Sequence, residues 1–166
     1  VRPALAPASA FRALTGTMGK IRIDTLDTSS APLLEASVTL IFNAFADPER
    51  YSAERLANEL RCDDPLFYRR FFVAMDAGEI IAVGGVKAAD WASSTHILYL
   101  SAVTPERRGK GIGRALIKAR IDWLEENFKS GRILVSAAKT KRFRDLGFSE
   151  VRNSAIHGKH LLIRKF

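Results

Sequence analysis

The stretch from residue 103 to residue 113 restricts the fold of this chain more than any other part of it. A predicted strand ends at Val103, and three alternate glycines then lead into a predicted amphipathic helix. Backbone N–H groups at a helix start have no acceptor inside the helix, and the helix dipole adds positive potential there. Glycine lets the backbone approach a phosphate closely, and basic side chains add charge. The stretch therefore predicts a pyrophosphate site. The residues expected to hold that group are Arg108, Gly109, Lys110, Gly111, Ile112, Gly113 and Arg114.

The spacing of these glycines excludes two commoner phosphate loops. A Walker loop requires G-x-x-x-x-G-K-[ST], and the sequence contains no such string. A dinucleotide fingerprint requires G-x-G-x-x-G, but from Gly109 the third glycine would fall at Arg114. The remaining pattern is R-x-x-G-x-G, formed by Arg108, Gly111 and Gly113, placed between a strand and a helix.

Hydrophobic periodicity predicts the other elements. Strands are expected at 20–25, 71–75, 79–86, 96–103, 132–137, 148–151 and 160–166. Helices are expected after the N-cap candidates at 27–30, and at 52–60, 111–128 and 140–146, the last ending at Gly147. This order predicts a single α/β (α+β) domain with one mixed, mostly antiparallel sheet flanked by helices. Residues 1–18 are expected to form a loosely ordered N-terminal extension, and residues 19–166 the domain.

With these elements in place, the chain resembles the GCN5-related N-acetyltransferase (GNAT) superfamily over residues 20–166. A second signature of that family, N-x-x-A-x-x-F-Y-x-x-x-G-F, corresponds here to residues 136–148. The final Gly147-Phe148 and the spacing fit. Ser136 replaces the asparagine, Lys139 the alanine, and Phe143 the tyrosine.

The resemblance implies a sheet that is splayed between its two central parallel strands, which end near Val103 and at residue 137. It also implies acetyl-CoA as co-substrate, with the pantetheine arm in that gap beside the backbone of Ala102 and Val103. One of those two amides would polarise the thioester carbonyl. The acetyl group would pass by direct attack to a primary amine of a small molecule or peptide.

The groups that would assist this transfer are harder to assign. In many family members a phenol at the position of Phe143 protonates the departing thiolate, and phenylalanine cannot do so. Ser136 and Tyr99 are the candidate catalytic residues, although each also fits a structural role. Strand alternation places Tyr99 on one face with Ile97, Ser101 and Val103. The strand at 96–103 contains no carboxylate, and His96 is expected at a surface strand edge.

Composition limits the partners. One cysteine and three scattered histidines give no metal-ligand spacing, so no metal site is expected. No apolar run is long enough to cross a bilayer, so we expect a cytoplasmic protein without a membrane partner.

The net charge of +8 comes from the C-terminal part, since residues 101–166 hold 16 basic against 6 acidic residues and residues 1–100 hold 10 against 12. This charge fits a polyanionic cofactor or a solvated basic face. A nucleic-acid surface is the other interpretation of this charge, but no recognised nucleic-acid motif supports it.

Two other functions stay open at this stage. The absent tyrosine and the absent carboxylate would suit a non-catalytic acyl-CoA-binding sensor module. The basic C-terminal part would suit a toxin-like acetyltransferase that modifies aminoacyl-tRNA. The sequence also leaves open whether the chain forms a homodimer.

Overall fold

The computed structural model describes residues 12–14, 21–61, 63–64 and 66–166. Its strands are β1 (Arg12–Leu14), β2 (Ile21–Thr25), β3 (Arg69–Asp76), β4 (Glu79–Ala88), β5 (Thr95–Val103), β6 (Arg132–Ala137), β7 (Ser149–Glu150) and β8 (His160–Lys165). Its α-helices are α1 (Ala31–Phe45), α2 (Ala53–Arg61), α3 (Ile112–Asn127) and α4 (Lys141–Arg144). A short 3-10 turn, Pro105–Arg107, precedes α3. The boundary predicted between residues 18 and 19 lies outside the described residues.

The eight described strands form one sheet in the order β1-β2-β3-β4-β5-β6-β8-β7. All neighbours are antiparallel except β5 and β6, which run parallel. The parallel pair arises because α3 carries the chain back across the sheet between these two strands. The predicted fold class, one mixed and mostly antiparallel α/β sheet flanked by helices, is confirmed.

The sheet separates two buried clusters of apolar side chains. One contains residues of α3 and α4 with alternate residues of the central strands, such as Phe72 and Leu98. The other contains residues of α1 and α2 with the intervening strand residues, such as Phe71 and Val73. This alternation is the period-2 pattern of a sheet covered on both faces. Each face of β5 therefore meets a different pair of helices.

Local sequence signals account for several element ends. In the β3–β4 hairpin, Ala77 and Gly78 both have positive φ, 48° and 85°, as a two-residue turn that matches the strand twist requires. Ser52 caps α2, because its Oγ accepts the backbone N–H of Arg55 at 3.2 Å. Gly147 follows α4 at a φ of 86°. The helix predicted at 140–146 is shorter than expected, with only its first part helical and the rest forming a turn.

Candidate functional site

The two parallel strands separate after a short paired stretch. β5 and β6 are in register at Thr95↔Arg132, His96↔Ile133 and Ile97↔Leu134, and pair no further. The remaining residues of both strands diverge and leave a gap in the middle of the sheet. This is the splay that the family resemblance implied. The gap opens toward the start of α3, where the glycine loop lies.

A β-bulge interrupts β5 inside this gap. Val83 pairs with Ala102 and Gly85 with Tyr99, so that Leu100 and Ser101 lie opposite Gly84 alone. Leu100 has a φ of 48°, a conformation that a leucine rarely adopts. The extra residue reverses which face of the sheet each later side chain meets.

The bulge makes one prediction from strand alternation wrong. Tyr99 packs with the α1 and α2 cluster, whereas Val103 packs against the α3 and α4 cluster. Ser101 also turns to the α3 side, where Nη1 of Arg120 donates to its Oγ at 2.9 Å. Tyr99 therefore does not share a face with Ser101 and Val103. Nothing in the sequence of β5 itself marks the inserted residue, because Leu100 is an apolar residue of the kind that any buried strand contains.

The glycine loop leads directly into α3. Gly109 and Gly111 have positive φ values of 75° and 79°, and a Cβ on either would meet nothing within 4 Å. Gly111 is the N-cap of α3, and no side chain caps the helix there. The first N–H groups of α3 therefore have no capping side chain as acceptor. This geometry suits an anionic ligand.

The basic side chains around the loop have different roles. Arg107 is paired with Asp76, with Nη2 and Oδ2 2.6 Å apart, which ties the loop to the β3–β4 hairpin. Arg114 lies 3.5 Å from Asp145. Nε of Arg108 donates to the carbonyl of Val103 at 3.0 Å. Arg107 and Arg114 are thus already paired with carboxylates.

A cleft of about 400 Å³ lies on the other side of the end of β5. The α1 helix forms one wall, and the end of β5 with its following loop forms the other. Its lining residues include Thr39, Asn43, Val103, Thr104 and Arg108. The loop is therefore open on the side that faces α1.

The two predicted catalytic residues lie on different strands and face different surroundings. Ser136 is exposed on β6, opposite Leu161 of β8 in the strand register. Tyr99 is half-buried on β5, and its hydroxyl donates to Oε1 of Glu59 at 2.7 Å. Phe143 is buried in α4 with its ring against Phe148, 5.6 Å between centroids. The position that carries a phenol in many related proteins is thus part of the core here.

Glu59 of α2 is the centre of a polar cluster on the α1 and α2 side. Besides accepting from Tyr99, its Oε1 lies 3.2 Å from Nε of Arg69 and 3.5 Å from Nζ of Lys87. The Lys87 ammonium also lies 4.4 Å from the centre of the Tyr99 ring. Sequence reasoning missed this cluster, because its members come from three strands and a helix that are far apart in the chain.

His96 is not at a surface strand edge, so that prediction is wrong. It is 3% exposed and lies among the rings of Phe128 and Phe166. Its Nδ1 is 2.7 Å from the hydroxyl of Tyr68, and its Nε2 has no hydrogen-bond partner among the described residues. Burial lowers the pKa of His96 to about 4. A neutral core histidine results, because β5 is a central strand and not an edge.

The largest fully buried side chain is that of Arg120, in the middle of α3. Its guanidinium donates to the carbonyls of Leu116 and Gly85 and to Ser101. Sequence reasoning missed it, although a signal was present. Arg120 follows Leu116 by four residues on the apolar face of α3, where a cation is unexpected.

The described residues contain no group of three or more histidine, cysteine or acidic side chains that could hold a metal ion. None of the helices in the described part of the chain has the length and apolar character needed to span a membrane.

A split sheet with a glycine loop at the start of the following helix is an architecture shared by one large class of group-transfer enzymes. The family model described as the acetyltransferase (GNAT) family matches residues 38–148. The chain therefore belongs to the GNAT acetyltransferase family, which confirms the resemblance seen in the sequence. A search of curated proteins gave no significant match.

Solved structures agree on the fold. ElaA of Escherichia coli superposes with a TM-score of 0.70 at 17% identity, covering 87% of this chain and 99% of that one. The PaiA N-acetyltransferase of Thermoplasma acidophilum, in complex with coenzyme A, gives 0.67 at 16% identity, covering 88% and 99%. The ribosomal-protein-S18-alanine N-acetyltransferase of Escherichia coli gives 0.65 at 18% identity, covering 87% and 93%. At these identities the likeness concerns the fold.

Proposed function

We propose that this protein transfers an acetyl group from acetyl-CoA to a primary amine of a small molecule or peptide. The observation that carries the proposal is the uncapped start of α3, with Gly109 and Gly111 at positive φ, beside the gap between β5 and β6. A diphosphate fits the uncapped start of α3, and an extended thioester arm fits the gap between β5 and β6. Membership of the acetyltransferase family and the coenzyme A complex of the similar PaiA enzyme support this choice.

The cofactor would be held along the line from α3 to the gap. The N–H groups of residues 109–113 would donate to the pyrophosphate, with Arg108 and Lys110 beside it. The pantetheine arm would then follow β5, where the backbone of Ala102 and Val103 has no partner on β6. The thioester would lie at the bulge, between the two faces of the sheet.

The amine would then approach from the α1 and α2 side. Glu59 and Tyr99 lie on that face, close to the bulge. The Glu59 carboxylate already accepts a hydrogen bond from Tyr99 and lies close to two cations, Arg69 and Lys87. We therefore propose that Glu59 helps to form the surface that the amine meets, and that it does not remove the amine's proton. The amine's proton would leave to water. The amine nitrogen then attacks the thioester carbon, and the C–S bond breaks.

Cofactor binding can be tested with Gly111→Glu. This change places a carboxylate at the helix start and forces a side chain into positive φ. We expect acetyl-CoA affinity, measured by titration calorimetry, to fall at least tenfold. Gly158→Glu is the matched control, because Gly158 also has positive φ, 72°, with nothing within 4 Å of a Cβ. Unchanged affinity in Gly111→Glu would refute the proposed cofactor site.

Transfer can be tested by thiol release from acetyl-CoA in the presence of a panel of primary amines. The proposal expects release that depends on the amine, with an N-acetylated product found by mass spectrometry. If the wild-type protein binds acetyl-CoA but releases thiol with no amine in the panel, the sensor alternative is favoured instead.

A further inference from the structure

The buried guanidinium of Arg120 lies under the part of β5 where the thioester is expected. Its Cζ would be 2.8 Å from a Cβ on Gly84, the residue opposite the bulge. Nη1 donates at 2.9 Å both to the carbonyl of Gly85 and to Oγ of Ser101. The cation and the serine are thus fixed on the α3 side of the gap.

Arg120 has no carboxylate partner among the described residues. Its acceptors are two carbonyls and one hydroxyl, all neutral. The charged group that acts on Arg120 is another cation, Arg142 of α4. Burial, together with repulsion from Arg142, lowers the pKa of Arg120 to about 9. The group is still cationic at neutral pH. Burying a charge with no counter-ion lowers the stability of the folded protein. We therefore expect a negative charge to be present near Arg120 at some step of the reaction.

The direction of the Arg120–Ser101 hydrogen bond decides what Ser101 can do. A guanidinium only donates, so Oγ of Ser101 must be the acceptor. The single hydroxyl proton of Ser101 is then left to donate elsewhere, and no described residue accepts it. Ser101 is exposed in the half of β5 that has no partner on β6. Its proton can therefore point into the gap.

We infer that Ser101, held by Arg120, donates a hydrogen bond to the departing thiolate of the cofactor, in place of the phenol that Phe143 cannot supply. The inference rests on the proposed function. The amine nitrogen forms the C–N bond, the C–S bond breaks, and its electron pair goes to sulfur. The Ser101 hydroxyl and the positive charge of Arg120 stabilise the sulfur anion. The amine's proton goes to water, and the thiolate takes a proton from solvent after release.

The test is the pKa of the thiol in bound coenzyme A, followed by the ultraviolet absorbance of the thiolate. It needs no knowledge of the acceptor. In the wild-type complex we expect a pKa below that of free coenzyme A in the same buffer. In Ser101→Ala we expect it to rise by about one to two units, the equivalent of a lost hydrogen bond to a charged acceptor. Affinity for coenzyme A should change little.

Further variants separate this role from a structural one. Arg120→Gln should also raise the thiol pKa, and its fold is checked by circular dichroism; if it does not fold, Ser101→Ala alone decides. Ser149→Ala, an exposed serine on β7, is the matched control and should leave the pKa unchanged. An equal thiol pKa in wild type and Ser101→Ala, or a rise in Ser136→Ala instead, would overturn the inference. Failure of coenzyme A to bind the wild-type protein would overturn the proposed function as well.

Discussion

At the scale of single residues, the buried polar side chains are the least expected feature of the molecule. His96, which was expected at a surface strand edge, and Arg120, on the apolar face of α3, are both buried, and each makes specific hydrogen bonds in the core. Hydrophobic periodicity does not show that a histidine or an arginine is buried, because its burial depends on hydrogen-bond partners from other parts of the chain. Those partners, Tyr68 and Ser101, lie 28 and 19 residues away in the chain. Only the fold brings them together.

His96 leads to a prediction about pH. Its pKa is lowered from 6.5 to about 4 in the folded protein, so the unfolded chain binds a proton first as pH falls. Above pH 6.5 His96 is neutral in both states and does not make the free energy of unfolding depend on pH. Between pH 6.5 and 4 only the unfolded chain is protonated at His96, so the free energy of unfolding falls. We expect this residue to account for a loss of up to roughly 3 kcal/mol in the free energy of unfolding over that range.

Urea unfolding at pH 7 and pH 4.5 measures this effect. In His96→Asn the loss of stability between these two pH values should be smaller than in wild type. His157→Asn is the control, since His157 is exposed and asparagine tolerates its positive φ. A pH dependence that is the same in wild type and His96→Asn would show that His96 does not titrate as its burial requires.

At the scale of elements, the sequence predicted well what depends on local pattern. The strand at 132–137 has the predicted bounds, and the β3–β4 hairpin and α3 differ from prediction by only a few residues at their ends. The bulge in β5 was missed because Leu100 is an apolar residue of the kind that any buried strand contains. The pair Gly84-Gly85 was the available hint, since adjacent glycines in a predicted central strand indicate close approach by other groups.

Gly85 gives a prediction about how β4 and β5 fit together. A Cβ there would lie 2.7 Å from the rings of both Phe71 and Tyr99. Gly85→Ala should therefore push these rings apart and cost about 1–3 kcal/mol in the free energy of unfolding, measured with urea. Gly158→Ala, with nothing within 4 Å, should show only the cost of positive φ, about 1 kcal/mol. Equal stability in Gly85→Ala and wild type would mean that the rings yield without cost.

At the scale of the whole molecule, the basic residues are concentrated in the part of the chain that forms the proposed cofactor site. Residues 101–166 hold 16 basic against 6 acidic residues, and they contain the glycine loop, α3 and α4. The fold and the loop could be predicted because strand, glycine spacing and helix occur together in one continuous segment. The polar cluster around Glu59 could not be predicted, because it is assembled from α2, β3, β4 and β5, whose residues carry no shared motif.

The same charge asymmetry predicts how cofactor binding responds to salt. A polyanionic cofactor attracted by the loop should bind more weakly as ionic strength rises, because salt screens exposed charges. Arg108→Gln removes one cation beside the proposed phosphate site, and we expect it to weaken acetyl-CoA binding about tenfold at low salt. The difference in affinity between Arg108→Gln and wild type should shrink at high salt.

Arg152→Gln is the control, because Arg152 is an exposed cation in the turn after β7, and it should bind acetyl-CoA like wild type. If Arg152→Gln loses as much affinity as Arg108→Gln, the attraction comes from overall charge. The loop would then not be where the phosphates bind, since a site built on Arg108 requires its effect to be local.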